Sequence, residues 1–382
     1  MSLYVPAGTS PVITSALARI ERRLPQSGEV LVRVGQRVEP EDIIARAFVP
    51  GTPQIINIAR ALTISPTYIE RVMRREVGNK VNKGEVLARS SVLSGRTCLA
   101  PVSGVITAVD SETGYVTITP DPTEYQLQAT IRGLVMEVMP YEGVRIETPA
   151  AQIYGVFGFG AERSGVLRLL VTDPVEPILP DKIDARCAYA ILIGGSGITA
   201  SALRLAIQKQ VRGIIVGSIE EAELREFLGE TSLDYWRTNI GSWNIPVNHK
   251  SEEHELTLVV TEGFGNAPMS SPLFELLAEH DRQEALIEGH THLRNPQIRP
   301  RVAIPLSARS TGVQLEATTP VLKPGANVRL LDAAHLGQTG RIRTVSTNLR
   351  RLSSRVRTSA VEVTLDNGTT LLLPRTAIEI LN

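Results

Sequence analysis

Two cysteines, Cys98 and Cys187, are all that 382 residues hold, and they lie far apart in the chain. That excludes a disulfide framework and fits a reducing cytoplasm. No run approaches the ~20 apolar residues that cross a bilayer, so no membrane partner is expected. The start, MSLYVPAGTSPVITSALARIERR, lacks the basic head and apolar core of a signal peptide. Net charge is absent too: forty basic residues cancel forty acidic ones, so there is no global field for nucleic acid or membrane. Any such argument must be local. Lysine is scarce, six of the forty basic residues, which reads as a trait of the source genome. The expectation is a soluble, cytoplasmic protein. Hydrophobic content of 42% and the length together suit two or three domains, each with its own core.

What is present is organised around AYAILIGGSGITASALRLAIQKQVRGIIVGSI, residues 188–219. Ala190 to Ile193 is a short β-branched run, and Gly194, Gly195 and Gly197 follow. Thr199 is a good N-cap, and Leu203, Ala206, Ile207 and Val211 recur at helical spacing up to a stop at Gly213. Ile214 to Val216 then makes a second buried strand. This is one βαβ unit, expected to be parallel with a right-handed crossover.

The N-terminal part contains a repeat. VGQRVEPEDIIAR at 34–46 returns as VGNKVNKGEVLAR at 77–89, each reading as a short hairpin, and LAPVSGVITAVDSETGYVTITP adds two more strands. The paired V-G-x-x-V turns and Ala100–Val105, A-P-V-S-G-V, resemble the biotinyl/lipoyl-like barrel-sandwich hybrid fold over about 25–120. The resemblance implies a flattened β-sandwich of two quasi-symmetric halves. Carrier members of that family hold their cofactor on a lysine in the connecting hairpin. The corresponding Ser90–Cys98 connection, SSVLSGRTC, has no lysine, so neither covalent biotin nor lipoate is expected, nor any other cofactor. Intact-mass measurement on protein from its native host should give the unmodified chain; a biotin- or lipoate-sized increment mapping to 80–100 would overturn this.

Between the repeats, PQIINIARALTISPTYIERVMRREVG reads as two short helices, with Ile55, Ile58, Ala59 and Leu62 on one face of the first. Ser65 and Pro66 open the second, which carries Ile69, Val72 and Met73 inward. The pair has the cadence of a helix-turn-helix, which would present Thr67, Tyr68 and Arg71 to DNA. The alternative is a helical plug on the end of the sandwich.

Strand signals continue from Gln126 to Val171, and Pro174, Pro177 and Pro180 form a stiff linker. After the βαβ unit come a helix over Glu220–Leu228 stopped by Gly229, a strand over Leu256–Val260, a helix over Pro272–His280, and strands over Ala285–Glu288 and Arg301–Leu306. Open α/β sheets bind ligands in loops that follow strands. Gly194, Gly195, Ser196, Gly197 and Thr199, with Glu220 near the next strand's end, therefore form a candidate anion or nucleotide loop; a purely structural glycine turn is the competing reading. Glu262, in a strand-to-helix loop, is the one carboxylate to test as an acid or base. Glu288, His290 and His292 alternate as a metal grip would, although Gly289 and Thr291 make the segment look like an exposed turn. No Ser-His-Asp set can be assembled from the sequence.

After Pro320 five short strands fit in about sixty residues, with the hairpin signal Asn367-Gly368 between the third and fourth. Gly325, Val328, Arg329, Gly337, Gly340 and Ile342 resemble the KOW motif of ribosomal and transcription-elongation proteins, over 323–382. That resemblance implies an SH3-like barrel binding RNA or protein. Nine basic residues (Lys323, Arg329, Arg341, Arg343, Arg350, Arg351, Arg355, Arg357, Arg375) stand against four acidic ones (Asp332, Glu362, Asp366, Glu379). Arg350, Arg351, Arg355 and Arg357 fall in what reads as a mobile, solvated loop, a candidate nucleic-acid contact together with Arg341 and Arg343.

The fold expected is thus mixed and multidomain. A barrel-sandwich hybrid-like β module over 1–122 carries a helical insertion at 52–76. A β-rich bridge spans 123–180, a three-layer α/β domain 181–310, and a KOW-like SH3 barrel 320–382. The function expected is a non-catalytic adaptor or scaffold whose α/β domain binds a ligand or protein and whose barrel touches RNA or a ribonucleoprotein. A nucleotide- or phosphometabolite-binding enzyme or sensor using the glycine loop is the second reading, and a DNA-binding regulator using the helix pair the third.

Overall fold

A computed structural model of the chain describes residues 10–90, 95–229, 256–291, 299–306 and 320–381. The protein is mostly β, with several sheets, the largest mixed and eleven-stranded. At its centre Arg163–Leu169, Ala190–Ile193, Gly213–Ile219 and Thr257–Phe264 run parallel to one another. Gly213–Ile219 is buried at every position, as a strand covered on both faces must be, and this explains a continuous rather than alternating apolar run. Leu192, Ile214, Val216, Leu258 and Val260 face the helices Ala200–Gln208 and Glu221–Leu228. Ile191, Ile193, Ile215 and Val259 face the helix Ser271–Glu279 through Leu273, Phe274 and Leu277.

Several elements are longer or shorter than their apolar runs. The helix after Thr199 ends at Gln208, because Gln210 turns left-handed at φ 58°, and Gly213 opens the next strand instead of stopping the helix. The Thr257 strand runs on through Phe264 and carries Glu262 within it.

The sheet also recruits strands from far away. Val12–Arg23 lies antiparallel along Gly143–Tyr154, with Val12 opposite Ile153, and Gly143–Tyr154 in turn pairs with Arg301–Pro305. Gly133–Met139, Phe157–Phe159 and Arg163–Leu169, from the stretch that reads as a bridge, belong to this one sheet. Apolar alternation announces a strand but not its partner, and Val12 and Ile153, like Ile153 and Val302, are more than a hundred residues apart.

The two sequence repeats form the same turn twice. Gly35 and Gly78 take φ 83° and 90°. Gly35 donates to Val135 O and Gly78 to Ile106 O; Val135 and Ile106 donate back to Gln36 O and Asn79 O. The next turn is closed by a carboxylate in both copies, Asp42 accepting from Glu39 N at 2.8 Å and Glu85 from Asn82 N at 3.0 Å. The copies are not two halves of one sandwich, however. The first contributes Val38, Ile44 and Ala45 to a core with Ala129, Ile131 and Val135; the second contributes Val81, Leu87 and Ala88 to a separate core with Ala100 and Ile106. Each copy is completed by its own strand, and these too repeat: A-x-V-x-G-x-I at 100–106 and A-x-I-x-G-x-V at 129–135.

One unit is therefore nested in the other. Ile43–Val49 and Thr123–Gln128 pair as a hairpin, Val49 opposite Thr123, and the second unit occupies its tip. The equivalent hairpin of the second unit, Val86–Arg89 with Thr97–Leu99, has a short tip of its own. The predicted helix pair lies in this inner unit. Ile55 sits on a strand, Gln54–Asn57, and the helices are only five and four residues long, Ile58–Leu62 and Ile69–Val72. Their Ile58, Leu62 and Ile69 close the inner core, while Thr67, Tyr68 and Arg71 are exposed. A 3₁₀ turn, Pro66–Tyr68, leads directly into the second helix, so Thr67, Tyr68 and Arg71 lie on one seven-residue helical segment.

The C-terminal segment forms a five-stranded antiparallel sheet in the order Thr370–Pro374, Ala360–Leu365, Thr339–Val345, Asn327–Leu330, Ile378–Ile380. Its core gathers Leu322, Val328, Leu330, Ile342, Val361, Val363, Leu365, Ile378 and Ile380. Gly368 turns at φ 84°, where Asn367 accepts from Thr369 N.

Candidate nucleic-acid interface

The arginine-rich segment is a hairpin, not a loose loop. Arg350–Arg351 pairs antiparallel with Arg357–Thr358, so Arg350 faces Thr358 and Arg351 faces Arg357. Leu352 N donates to Val356 O, Arg355 N donates to Leu352 O, and Arg355 takes the left-handed φ of 67° that closes the turn. The two serines at 353 and 354 disguise this in the sequence, because the strands they separate are only two residues long. All four arginines are exposed, as are Leu349 and Val356 beside them. Among the described residues none of the four has a carboxylate in ion-pair range. Arg341 and Arg343 are exposed on the adjoining strand, Arg343 standing 3.7 Å from Glu362.

Arg329, counted with these in the sequence, points the other way. It is buried where the C-terminal sheet meets the large one. Its guanidinium donates to Thr261 O at 2.8 Å and Glu379 at 3.1 Å, and pairs with Glu262. Glu379, fully buried, also meets Arg299 at 2.6 Å, and Arg299 donates to the carbonyls of Tyr154 and Gly155. Two arginines and two glutamates thus neutralise one another out of water, the condition for burying charge at all. Beside them Gly263 and Gly337 approach so closely that a Cβ on Gly263 would lie 2.9 Å from Gly337 Cα. Ala333 and Leu336 complete the contact by packing on the core of the large sheet. The hairpin therefore projects from a sheet that is anchored, not tethered.

Glu262 is part of that anchor. It lies on a strand instead of in a loop, its second oxygen accepts from Ser270 N at 3.1 Å, and Arg329 holds the first. Sequence reasoning missed Glu379, Arg299 and the inward role of Arg329. In the Ile378–Ile380 strand alternation puts Glu379 on the face away from the barrel core, where water is the default expectation; nothing local reveals that another sheet covers it.

Three amides of the glycine loop are taken by its own fold. Gly194 donates to Ile215 O, Gly195 and Ser196 donate to Glu176 O, and Ser218 donates to Ser196 O. The start of the following helix already holds anionic and polar groups of this chain: Glu223 accepts from Ala200 N at 2.6 Å and Thr199 from Ala202 N at 3.3 Å. Glu220 follows the strand directly, since that strand extends to Ile219, and its side chain is exposed and makes no cap bond.

Of the proposed metal grip, Glu288 and His290 lie within the described residues. The strand ends at Glu288, whose two oxygens accept from Arg301 at 2.9 Å each; His290 lies exposed beyond it, and His292 is outside the described residues. Burial works to lower the pKa of Arg301, and Glu288 and Tyr154 outweigh it and raise it. Among the described residues no three His, Cys, Asp or Glu side chains converge as metal ligands. Arg301 and Glu288 line an open cleft of ≈ 750 Å³ with Arg19, Glu21, Arg145, Glu147 and Glu162, and these charges pair with one another or, for Glu162, with Arg22. Both cysteines are free and buried, and burial raises their thiol pKa, which makes them poor nucleophiles. No described helix is long and apolar enough to cross a membrane.

No protein-family model matches this chain. No curated protein matches it either.

Proposed function

We propose that the protein is a non-catalytic adaptor that holds RNA, alone or in a ribonucleoprotein, through the arginine hairpin of its C-terminal sheet. The supporting observation is the hairpin itself: four exposed arginines with no carboxylate partner among the described residues, next to a sheet whose Arg329 and Glu379 are held in a buried anchor. Unpaired surface arginines keep their full charge for phosphate. The α/β core acts as the rigid base, with Gly194, Gly195 and Ser196 of its glycine loop bonded into the fold, and the nested β units offer protein-binding surface on the opposite arm of the chain. The expected location is the cytoplasm.

The test is a fluorescence-anisotropy titration of the full chain with labelled RNA at several salt concentrations, against a variant with Arg350, Arg351, Arg355 and Arg357 all replaced by alanine. Each lost phosphate contact should lower the magnitude of the salt slope by ~0.7, up to ~3 in all. Equal binding by both proteins, or none by the wild type in low salt, removes RNA from the reading.

A further inference from the structure

The hairpin's layout narrows the kind of RNA, an inference that rests on the reading just proposed. Arg351 and Arg357 are direct cross-strand partners. Side chains so placed have Cβ atoms ~5 Å apart, and like charges there repel and weaken the strand pair. No carboxylate among the described residues offsets them. One phosphate between the two guanidiniums would, and each guanidinium can hold it through two N–H groups.

A second observation concerns what the segment lacks. Residues 320–382 contain no phenylalanine, tyrosine or tryptophan. Single strands gain ~1–3 kcal/mol per base by stacking on such rings, and unpaired RNA is read in the same way. Beside its exposed aliphatic Leu349 and Val356 the hairpin offers charge and no ring, and charge favours the denser phosphates of a duplex, where each contact contributes ~0.9 to the salt slope, the B-form DNA value, against ~0.7 for a single strand.

We propose that the hairpin grips the sugar-phosphate backbone of base-paired RNA without reading sequence, Arg351 and Arg357 sharing one phosphate and Arg350 and Arg355 reaching its neighbours. Three neutralised phosphates make the duplex slope steeper by ~0.6, about fourfold in affinity at ~0.1 M salt counted from a 1 M reference.

The experiment titrates the full chain with a short RNA duplex, with each of its separated strands, with a duplex of unrelated sequence, and with phosphatidylserine vesicles. The expected result is several-fold tighter binding of both duplexes than of either strand, with little difference between the duplexes. Arg351→Ala and Arg357→Ala should each remove most of what the double variant removes, since they share a phosphate. Arg355→Gly, which suits the left-handed turn, should lose one contact while the hairpin stays folded. Equal or tighter binding of the single strands overturns the duplex proposal and leaves RNA binding standing. Strict additivity of the two alanine variants overturns the shared phosphate. Vesicle binding with no RNA binding overturns both the proposal and the reading beneath it.

Discussion

Replacing Glu379 by alanine is expected to destabilise the protein by about 3–5 kcal/mol, the cost of removing one partner from a buried charge network. The glutamate is fully buried and holds Arg329 and Arg299, which are about nine-tenths buried themselves. Its loss leaves two guanidiniums out of water, Arg329 with Glu262 and Arg299 with no carboxylate among the described residues. Glu379→Gln keeps the shape and part of the hydrogen bonding, so it should fall between alanine and wild type. An exposed pair is the control: Arg23 and Glu142 are 53% and 61% exposed at 2.8 Å, and Glu142→Ala should cost about 0–1 kcal/mol. Urea unfolding followed by circular dichroism measures all three. A cost for Glu379→Ala no larger than that of the surface pair would show that water reaches the network and that the C-terminal sheet is not anchored by it.

The second large effect separates a packing turn from a phosphate cradle. A Cβ on Gly195 would stand 2.5 to 2.7 Å from the carbonyl oxygens of Glu176, Asp173 and Pro174. Backbone on three sides cannot give way as a side-chain tip can, so Gly195→Ala should cost at least the ~1–3 kcal/mol of ordinary overpacking. The reason is close approach, since Gly195 is not among the positive-φ glycines. Two residues on, Gly197 meets only Ser218 O at 3.5 Å, an ordinary contact. Gly197→Ala should be neutral or gain up to the ~0.4–1 kcal/mol of a compatible substitution. Thermal unfolding of the two variants decides it. If Gly195→Ala folds as well as wild type and instead loses affinity for a nucleotide or inorganic phosphate, the loop is a ligand site and the adaptor reading fails.

Local signals in the sequence were good guides to local structure. Thr199 caps the helix it precedes, Gly229 ends the next one at φ 71°, and Asn367-Gly368 turns a hairpin. The repeat at 34–46 and 77–89 does form one motif twice. Its assembly was hidden because a matching turn does not say which strand completes it; the second signal, at 100–106 and 129–135, carries that information in four small or branched positions per copy. The anchor was less legible still. Glu262, Arg299, Arg329 and Glu379 are brought together from up to 117 positions apart, and a buried ion pair has no periodicity to betray it. The arginines were visible by composition, whereas their pairing rests on two-residue strands that no apolar pattern marks.

The nesting has a mechanical side. Because the inner β unit enters and leaves at one point, between Val49 and Thr123, it hangs from the outer unit as a pendant. Tension between the Val12 strand and the C-terminal sheet runs through the eleven-stranded sheet and the ion network, bypassing residues 54–120 entirely. No strand of that unit belongs to the eleven-stranded sheet or to the C-terminal one, so the path from the Val12 strand to the arginine hairpin does not pass through it.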